Sequence, residues 1–515
     1  MRCITRPGLH TNKASLKHQA ILAESRLNTS DKSVVGPSRA SRVFSSLSAG
    51  GAASPLKRSF WMLEAESPLQ ACATLQGHAV ADVAIIGGGY VGLWTALTIK
   101  DISPDTKVVV IEQDVCGGGA SGRNGGFVMS WWPKIASLLT FSETQEALFL
   151  ARASEQAIGE IEAFCGRYGI DAHFRRAGWL WTATSEAQLE SWRATIAACE
   201  RVGEKPFEAV SSDEVALRTG SGVHRSGVLE RTNATVQPAA LIRGMRRVAL
   251  ERGVLIYENS QVREFTHDCP SVIRTANGEI RAETVVLATN AWAASIPELS
   301  RLIVPVNSSI VVTEPVPDRL RSIGWTGGEA ITDSQLMVNY YRTTRDGRIA
   351  FGKGTGALAF GSAIGSTFSY HEASCSLALQ DFRRTYPMLA DVPISHAWSG
   401  PIDRTYDSLP VFGTLPGTEH VHYGIGWSGN GVGPSRIGGK ILASLALRRS
   451  DEWSHCSLVE RKPKQFPPEP IKYLGGSLVR RAVLRKERRE AVDGKARRID
   501  IALARLAPSG LEDKA

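Results

Sequence analysis

The chain has no long hydrophobic run. A helix needs about 20 mostly apolar residues to cross a bilayer, and the best stretch, 83–99, is broken by three consecutive glycines. Cysteine patterning is missing too. Cys3, Cys72, Cys116, Cys165, Cys199, Cys269, Cys375 and Cys456 form neither a Cys-x-x-Cys pair nor a Cys/His cluster. No metal site is expected, and scattered thiols suit a reduced intracellular setting. No glycine-every-third period marks a fibrous chain.

Acidic residues are scarce at both ends. Residues 1–58 hold ten Lys/Arg against Glu24 and Asp31, and residues 472–515 hold twelve against six acids. The formal net charge is +9, so the body between the two ends is net acidic. That argues against a nucleic-acid partner, because phosphate backbones are met by basic surface. The Ser-, Arg- and Ala-rich segment 1–58 reads either as an organelle transit peptide or as a dispensable extension. A protein without a transmembrane segment is expected, cytoplasmic unless residues 1–58 direct it to an organelle.

Much more specific is the run Val83-Ala84-Ile85-Ile86, which ends in Gly87-Gly88-Gly89-Tyr90-Val91-Gly92 and passes into a helical pattern. A second apolar run follows at 108–111, completing a βαβ unit of dinucleotide-binding spacing. Gly87 permits the tight turn, Gly89 lets backbone approach a pyrophosphate, and Gly92 lets the helix pack closely. The helix beginning at Tyr90 and Val91 directs N–H groups and its positive end at phosphate. Glu112 then stands at the end of the second strand, where a carboxylate meets a ribose diol. Both NAD and FAD use such a turn. The loop 117–126, holding Ala120, Ser121, Arg123, Asn124 and Gly125, is poor enough in side chains to lie against a large flat cofactor. A flexible surface loop is the plainer alternative.

Helical patterns alternate with a strand-like run at 178–182, residues 239–252 read as a helix, and 254–262 as one or two strands. Short Thr-, Val- and Tyr-rich runs from 304 to 396 have antiparallel-sheet composition. The glycine-rich helical pattern returns near Trp398. The tail, with Leu474, Leu478, Val483 and Leu484 as an apolar stripe, reads as a peripheral helix packed on the body.

Several of these segments, taken in order, resemble a known family. They are Ser59-Phe60-Trp61, the 87–92 turn, Glu112, Ala120-Ser121-Gly122-Arg123-Asn124-Gly125-Gly126, Val236-Gln237-Pro238 and Ala288-Thr289-Asn290-Ala291-Trp292. Tyr340-Tyr341-Arg342, Trp398-Ser399-Gly400, Asp407-Ser408-Leu409-Pro410 and Gly426-Trp427-Ser428-Gly429-Asn430-Gly431-Val432 continue the series. Over roughly residues 59–475 the chain resembles the FAD-dependent oxidoreductases of the D-amino-acid oxidase family, in the gamma-glutamylputrescine oxidoreductase branch.

The resemblance implies an α/β plus α+β fold: a discontinuous FAD-binding Rossmann-like domain (59–150, 221–303 and 397–449) with an inserted antiparallel-sheet substrate domain (151–220 and 304–396). An N-terminal extension (1–58) and a basic helical tail (450–515) flank them. FAD is expected to lie against Gly87, Gly89, Tyr90, Val91, Gly92, Glu112, Ala120, Ser121, Arg123, Asn124, Gly125, Val262, Thr289, Gly429, Asn430, Gly431 and Val432. Neither Arg123 nor Asn124 is a His or Cys, so non-covalent FAD is expected. Relatives often carry a His at the position of Asn430, and no proton-transfer role is carried over to it.

The implied chemistry is oxidation of a small primary or secondary amine by hydride transfer to flavin, hydrolysis of the imine, and reoxidation by O2 giving H2O2. A dehydrogenase serving a protein electron carrier, or a non-oxidase flavin- or tRNA-binding protein, are the alternatives. Candidate catalytic residues are Tyr341 and Arg342, on one strand with Tyr340, where alternation sends Tyr341 to the opposite face from its neighbours. One of the three is for substrate contact, or all are for ordinary sheet packing with a surface Arg. Lys353 is a further candidate, for a cation over the flavin or a solvated turn. Trp427 shields the cavity or packs in the core. His371, His396, His420 and His422 receive no role.

Overall fold

The computed structural model describes residues 40–41, 57–65 and 71–510, so most of the N-terminal extension lies outside the described residues. In chain order the elements that frame the site are β1 (Gly77–Ile86), α1 (Tyr90–Ile102), β2 (Val108–Ile111), α2 (Thr144–Arg167) and β3 (Trp179–Ala183). Next come α3 (Pro238–Glu251), β4 (Leu255–Tyr257), β5 (Gly278–Leu287), β6 (Val304–Thr313), β7 (Asn339–Thr343) and β8 (Ile349–Lys353). Last are α4 (Glu372–Thr385), β9 (Ile394–Arg404), β10 (Val421–Ile425), α5 (Ser435–Ala446), α6 (Ile471–Glu490) and α7 (Arg498–Ala504).

Five parallel strands in the order β4-β2-β1-β5-β10 form the centre of a nine-stranded sheet. Layers cover both of its faces, which is why Val83, Ala84, Ile85 and Ile86 are all apolar and buried. The chain crosses from β1 through α1 to β2 on one side, while β5 lies on the other. The strand order therefore reverses between β1 and β5, and a crevice opens beyond their carboxyl ends. Ala288 N–H donates to the Ile86 carbonyl there at 2.9 Å. The expected strands within 254–262 reduce to the short β4.

An eight-stranded sheet lies against this crevice, ordered β9-β6-β8-β7, Ala330–Thr332, β3, Ser226–Glu230 and Glu208–Val210. Only the pairing of Ala330–Thr332 with β3 is parallel. Two segments sit elsewhere than expected. The part of helix α2 beyond residue 150, assigned from sequence to the substrate side, packs Ile158 and Ile161 into the core shared with α1 and α5, because its apolar stripe finds cover there. Ser226–Glu230, assigned to the nucleotide side, pairs with β3 in the second sheet.

Among the described residues no helix is long and apolar enough to cross a membrane, and no group of three or more His, Cys, Asp or Glu is arranged to hold a metal. The seven described cysteines are free thiols.

The β1–α1 turn tolerates no added atom at Gly92. A Cβ there would lie 2.0 Å from the Gly87 carbonyl oxygen. Gly92→Ala is expected to destabilise the protein by at least about 1–3 kcal/mol, the usual range for overpacking. Urea unfolding checks this, and an unchanged midpoint would contradict it.

Candidate functional site

A cavity of about 650 Å³ begins at the crevice between β1 and β5 and runs on beneath the second sheet. That volume is within the range of cofactor and ligand pockets. Gly87, Gly89, Tyr90, Val91, Glu112, Ala120, Ser121, Arg123, Asn124, Gly125, Val262, Thr289, Gly429, Asn430, Gly431 and Val432 all line it. Of the cofactor candidates only Gly92 does not, since it faces the turn itself. The structure thus gathers residues from four separate stretches of chain.

At the nucleotide end, Gly88 N–H and Asp114 N–H donate to the two Glu112 carboxylate oxygens at 2.7 and 3.0 Å. Burial pushes the Glu112 carboxyl up to about 7, although both of these N–H groups pull it down. Gly89, the residue that caps α1, offers no side chain to its first turn. Tyr90 N–H is met instead by Ser121 Oγ at 3.0 Å, which ties the turn to the following loop.

That loop is held by its carbonyls and by two buried guanidiniums. Arg123 donates to the Ser399, Lys57 and Ser369 carbonyls at 2.8, 2.6 and 2.9 Å. Burial lowers its pKa to about 10. Asn124 donates to the Ser121 carbonyl at 2.7 Å and accepts from Gly126 N–H at 2.8 Å. Trp398 and Trp61 donate indole N–H to the Arg123 and Asn124 carbonyls.

The late glycine segment hangs on Asp403, which sequence reasoning passed over. Its carboxylate accepts Gly426 N–H at 2.6 Å and Trp427 N–H at 3.1 Å, and the residue is wholly buried. The available signal was a lone acid on a strand flanked by the Trp398 and Asp407 motifs. Trp427 lines the cavity and meets Phe412 edge-on at 5.7 Å. The ring thus borders the cavity and packs in the core.

None of the three catalytic candidates lines the cavity. Tyr341 points to the other side of β7, stacks on Phe351 at 4.7 Å and hydrogen-bonds His224 at 3.2 Å. Arg342 donates to the Gly125 and Val236 carbonyls at 2.8 and 2.5 Å and lies 5.0 Å over Trp61. It braces the loop. Lys353 shares the α4-facing side of β8 with Phe351 and pairs with Asp381 at 2.7 Å. Being buried and paired, it is not a solvated turn lysine, and it does not line the cavity where a cation over a flavin would stand. Alternation along β7 turns Tyr341 away and brings Tyr340 to the cavity, whereas Arg342, on the same face as Tyr340, is drawn off to the Gly125 and Val236 carbonyls. The Tyr340 ring lies over Gly352, where a Cβ would come within 2.1 Å, and its hydroxyl meets Ser308 Oγ at 2.8 Å.

The site has the marks of a place for a bound group. Thr289 Oγ1, Asn290 Oδ1 and Asn430 Oδ1 are buried with no hydrogen-bond partner among the described residues, and all three residues line the cavity. Buried polar atoms left unpaired cost about 1–3 kcal/mol each, so such a cluster calls for a polar ligand. The donors, carboxylate and cradle fit FAD.

Comparison with known proteins agrees. The family model described as "FAD dependent oxidoreductase" (DAO) matches residues 82–445. Gamma-glutamylputrescine oxidoreductase of Escherichia coli (strain K12) is 28% identical over 375 residues, covering 72% of this chain and 85% of that protein. Among solved structures, glycine oxidase from Geobacillus kaustophilus superposes with a TM-score of 0.60 at 21% identity, covering 72% of this chain and 96% of its own. L-proline dehydrogenase from P. horikoshii gives 0.58 at 20% identity, covering 73% and 94%.

Asp403 yields a pH prediction. Burial pushes its carboxyl up to about 7, so the folded protein keeps a proton that the unfolded chain releases near pH 4, the usual aspartate value. Its contribution to stability is therefore full below about pH 4 and is lost as pH rises through about 7. Asp403→Asn is expected to flatten the decline in urea midpoint over that window, and an unchanged slope counts against it. Asp403→Ala, leaving two N–H groups unpaired, is expected to cost about 1–3 kcal/mol for each.

Proposed function

The chain belongs to the FAD-dependent oxidoreductase (DAO) family, and on that premise we propose that it oxidises the C–N bond of a primary or secondary amine, with O2 as electron acceptor. One observation carries the reading: a continuous cavity has the FAD cradle at one end and, under the second sheet, a polar edge of Tyr340, Ser308 and Asn307. The name of the gamma-glutamylputrescine oxidoreductase relative supports amine chemistry.

FAD, when bound, supplies the acceptor for the hydride. The protein's work is to hold, orient and dry the reactants. The Gly87–Gly89 backbone and the α1 N-terminus would hold the pyrophosphate, and Glu112 would hold the ribose diol. Thr289, Asn290 and Asn430 supply polar contacts that are otherwise unmet. The turn leading into α5 would offer N–H groups to negative charge on the flavin. No His or Cys lines the cavity among the described residues, in keeping with non-covalent binding.

Tyr340 orients the amine through its hydroxyl, which burial pushes up to about 12 and so keeps protonated. Trp427 and Met129 exclude water from the flavin end. The substrate carbon gives up a hydride and its nitrogen a proton. The resulting imine takes up water, releasing a carbonyl compound and an amine or ammonia. O2 takes two electrons and two protons and leaves as H2O2. The two-sheet division into cofactor and substrate sides belongs to the same proposal.

The test is an anaerobic titration of the yellow protein with a panel of amines. Bleaching by one amine, with colour and peroxide returning in air, is the expected result. Bleaching that air does not reverse but an electron-carrier dye does would overturn O2 as the acceptor, and a protein that no amine bleaches would overturn the amine reading. Tyr340→Phe is expected to lower kcat/KM about tenfold, the loss of one hydrogen bond of about 1.4 kcal/mol. Tyr341→Phe and Lys353→Met are expected to change stability and leave kcat/KM within about twofold. Steady-state kinetics at matched FAD content decides.

A further inference from the structure

The family match ends at residue 445, yet the cavity does not. Helix α6, helix α7 and the turn after them close its far end with Ile471, Leu478, Val479, Val483, Leu503 and Leu506. These segments bring their own small core, in which Val483, Ala504 and Ala507 pack on Met337. Met337 N–H donates to Glu487 at 2.9 Å, and the Ser509 carbonyl accepts from Arg404 and Ser408 on the body. The extension is thus fastened at several points along its length.

One charged side chain stands out in this wall. Arg480 lines the cavity with its stem beside Gly356 and its Nε–H donating to the Thr355 carbonyl at 2.7 Å. Its terminal nitrogens have no hydrogen-bond or ion-pair partner among the described residues, unlike Arg123 and Arg342, whose guanidiniums are engaged on carbonyls. It is half-buried. Burial first, then the neighbouring Arg481 and Arg488, lowers its pKa, and no carboxylate offsets them. A fixed, part-desolvated guanidinium without a counter-ion is suited to bidentate capture of a planar anion. The surrounding wall of Leu336, Met337, Val338 and Val479 is apolar and suits a methylene chain.

We propose that the C-terminal extension is the substrate-discriminating wall of this site and that Arg480 binds the carboxylate of the substrate, an amine joined to that carboxylate by an apolar spacer. This rests on the amine reading above. The extension is a part of the site rather than a peripheral helix, and Arg480 is a specificity residue rather than a catalytic one.

The experiment uses the FAD-loaded full chain and, as probe, butyrate with butyramide as its neutral counterpart, measured by titration calorimetry. Arg480→Gln is expected to weaken butyrate binding at least tenfold, Arg480→Lys to retain most of it, and both to leave butyramide unchanged. In turnover, the wild type is expected to prefer 4-aminobutyrate to butylamine and Arg480→Gln to lose that preference through KM. Equal butyrate affinity in the wild type and Arg480→Gln overturns the proposal, as does butyramide binding as well as butyrate. Thermal unfolding within about 2 °C of the wild type shows that the variants are folded. The two readings fail separately: Arg480-dependent butyrate binding in a protein that no amine bleaches supports the anion site and overturns the amine.

Discussion

Everything in the site depends on how closely the β1–α1 turn approaches the end of β5. Gly87 has φ +115, and a Cβ on it would lie 2.4 Å from the Ala288 carbonyl oxygen. That approach brings Thr289 and Asn290 alongside the glycine turn, so that the helix start, the Glu112 carboxylate and the orphan polar atoms converge on one crevice. A side chain at this point would push β5 away and separate the two halves of the cradle. Parallel strands with covered faces make the frame stiff enough to keep that distance.

Around this point the loops are ordered mainly by buried polar side chains bonded to backbone. Arg123 and Arg342 occupy carbonyl oxygens of the 120–126 loop and its neighbours, and Asp403 occupies N–H groups of the 426–428 turn. Each satisfies backbone that has no sheet or helix partner. Buried charges of this kind cost stability unless fully hydrogen-bonded, and here that bonding holds the cofactor-facing backbone in place. Lys353 ties β8 to α4 through Asp381 and also occupies the Met337 carbonyl.

The second sheet and the C-terminal extension close the cavity from the other side. β6, β7 and β9 contribute polar edges through Ser308, Tyr340 and Gly400, whereas α6 and α7 contribute apolar wall and Arg480. Under the readings proposed above, the first of these meets the reacting amine and the second selects the rest of the substrate.

The sequence by itself determined the βαβ unit, the glycine turn, Glu112, the loop after it and the late glycine segment. Each is written in consecutive residues whose spacing has a local physical cause: a turn that excludes a side chain, a strand buried on both faces, a helix start aimed at phosphate. Tertiary structure alone decided which of Tyr340 and Tyr341 meets the cavity, whether Lys353 is free or paired, where Asp403 bonds, and that the tail is a wall. Those depend on strand register and on which surfaces come to face each other. A shift of one residue in register would reverse every side chain on β7 and β8, and nothing local records which choice the packed sheet makes.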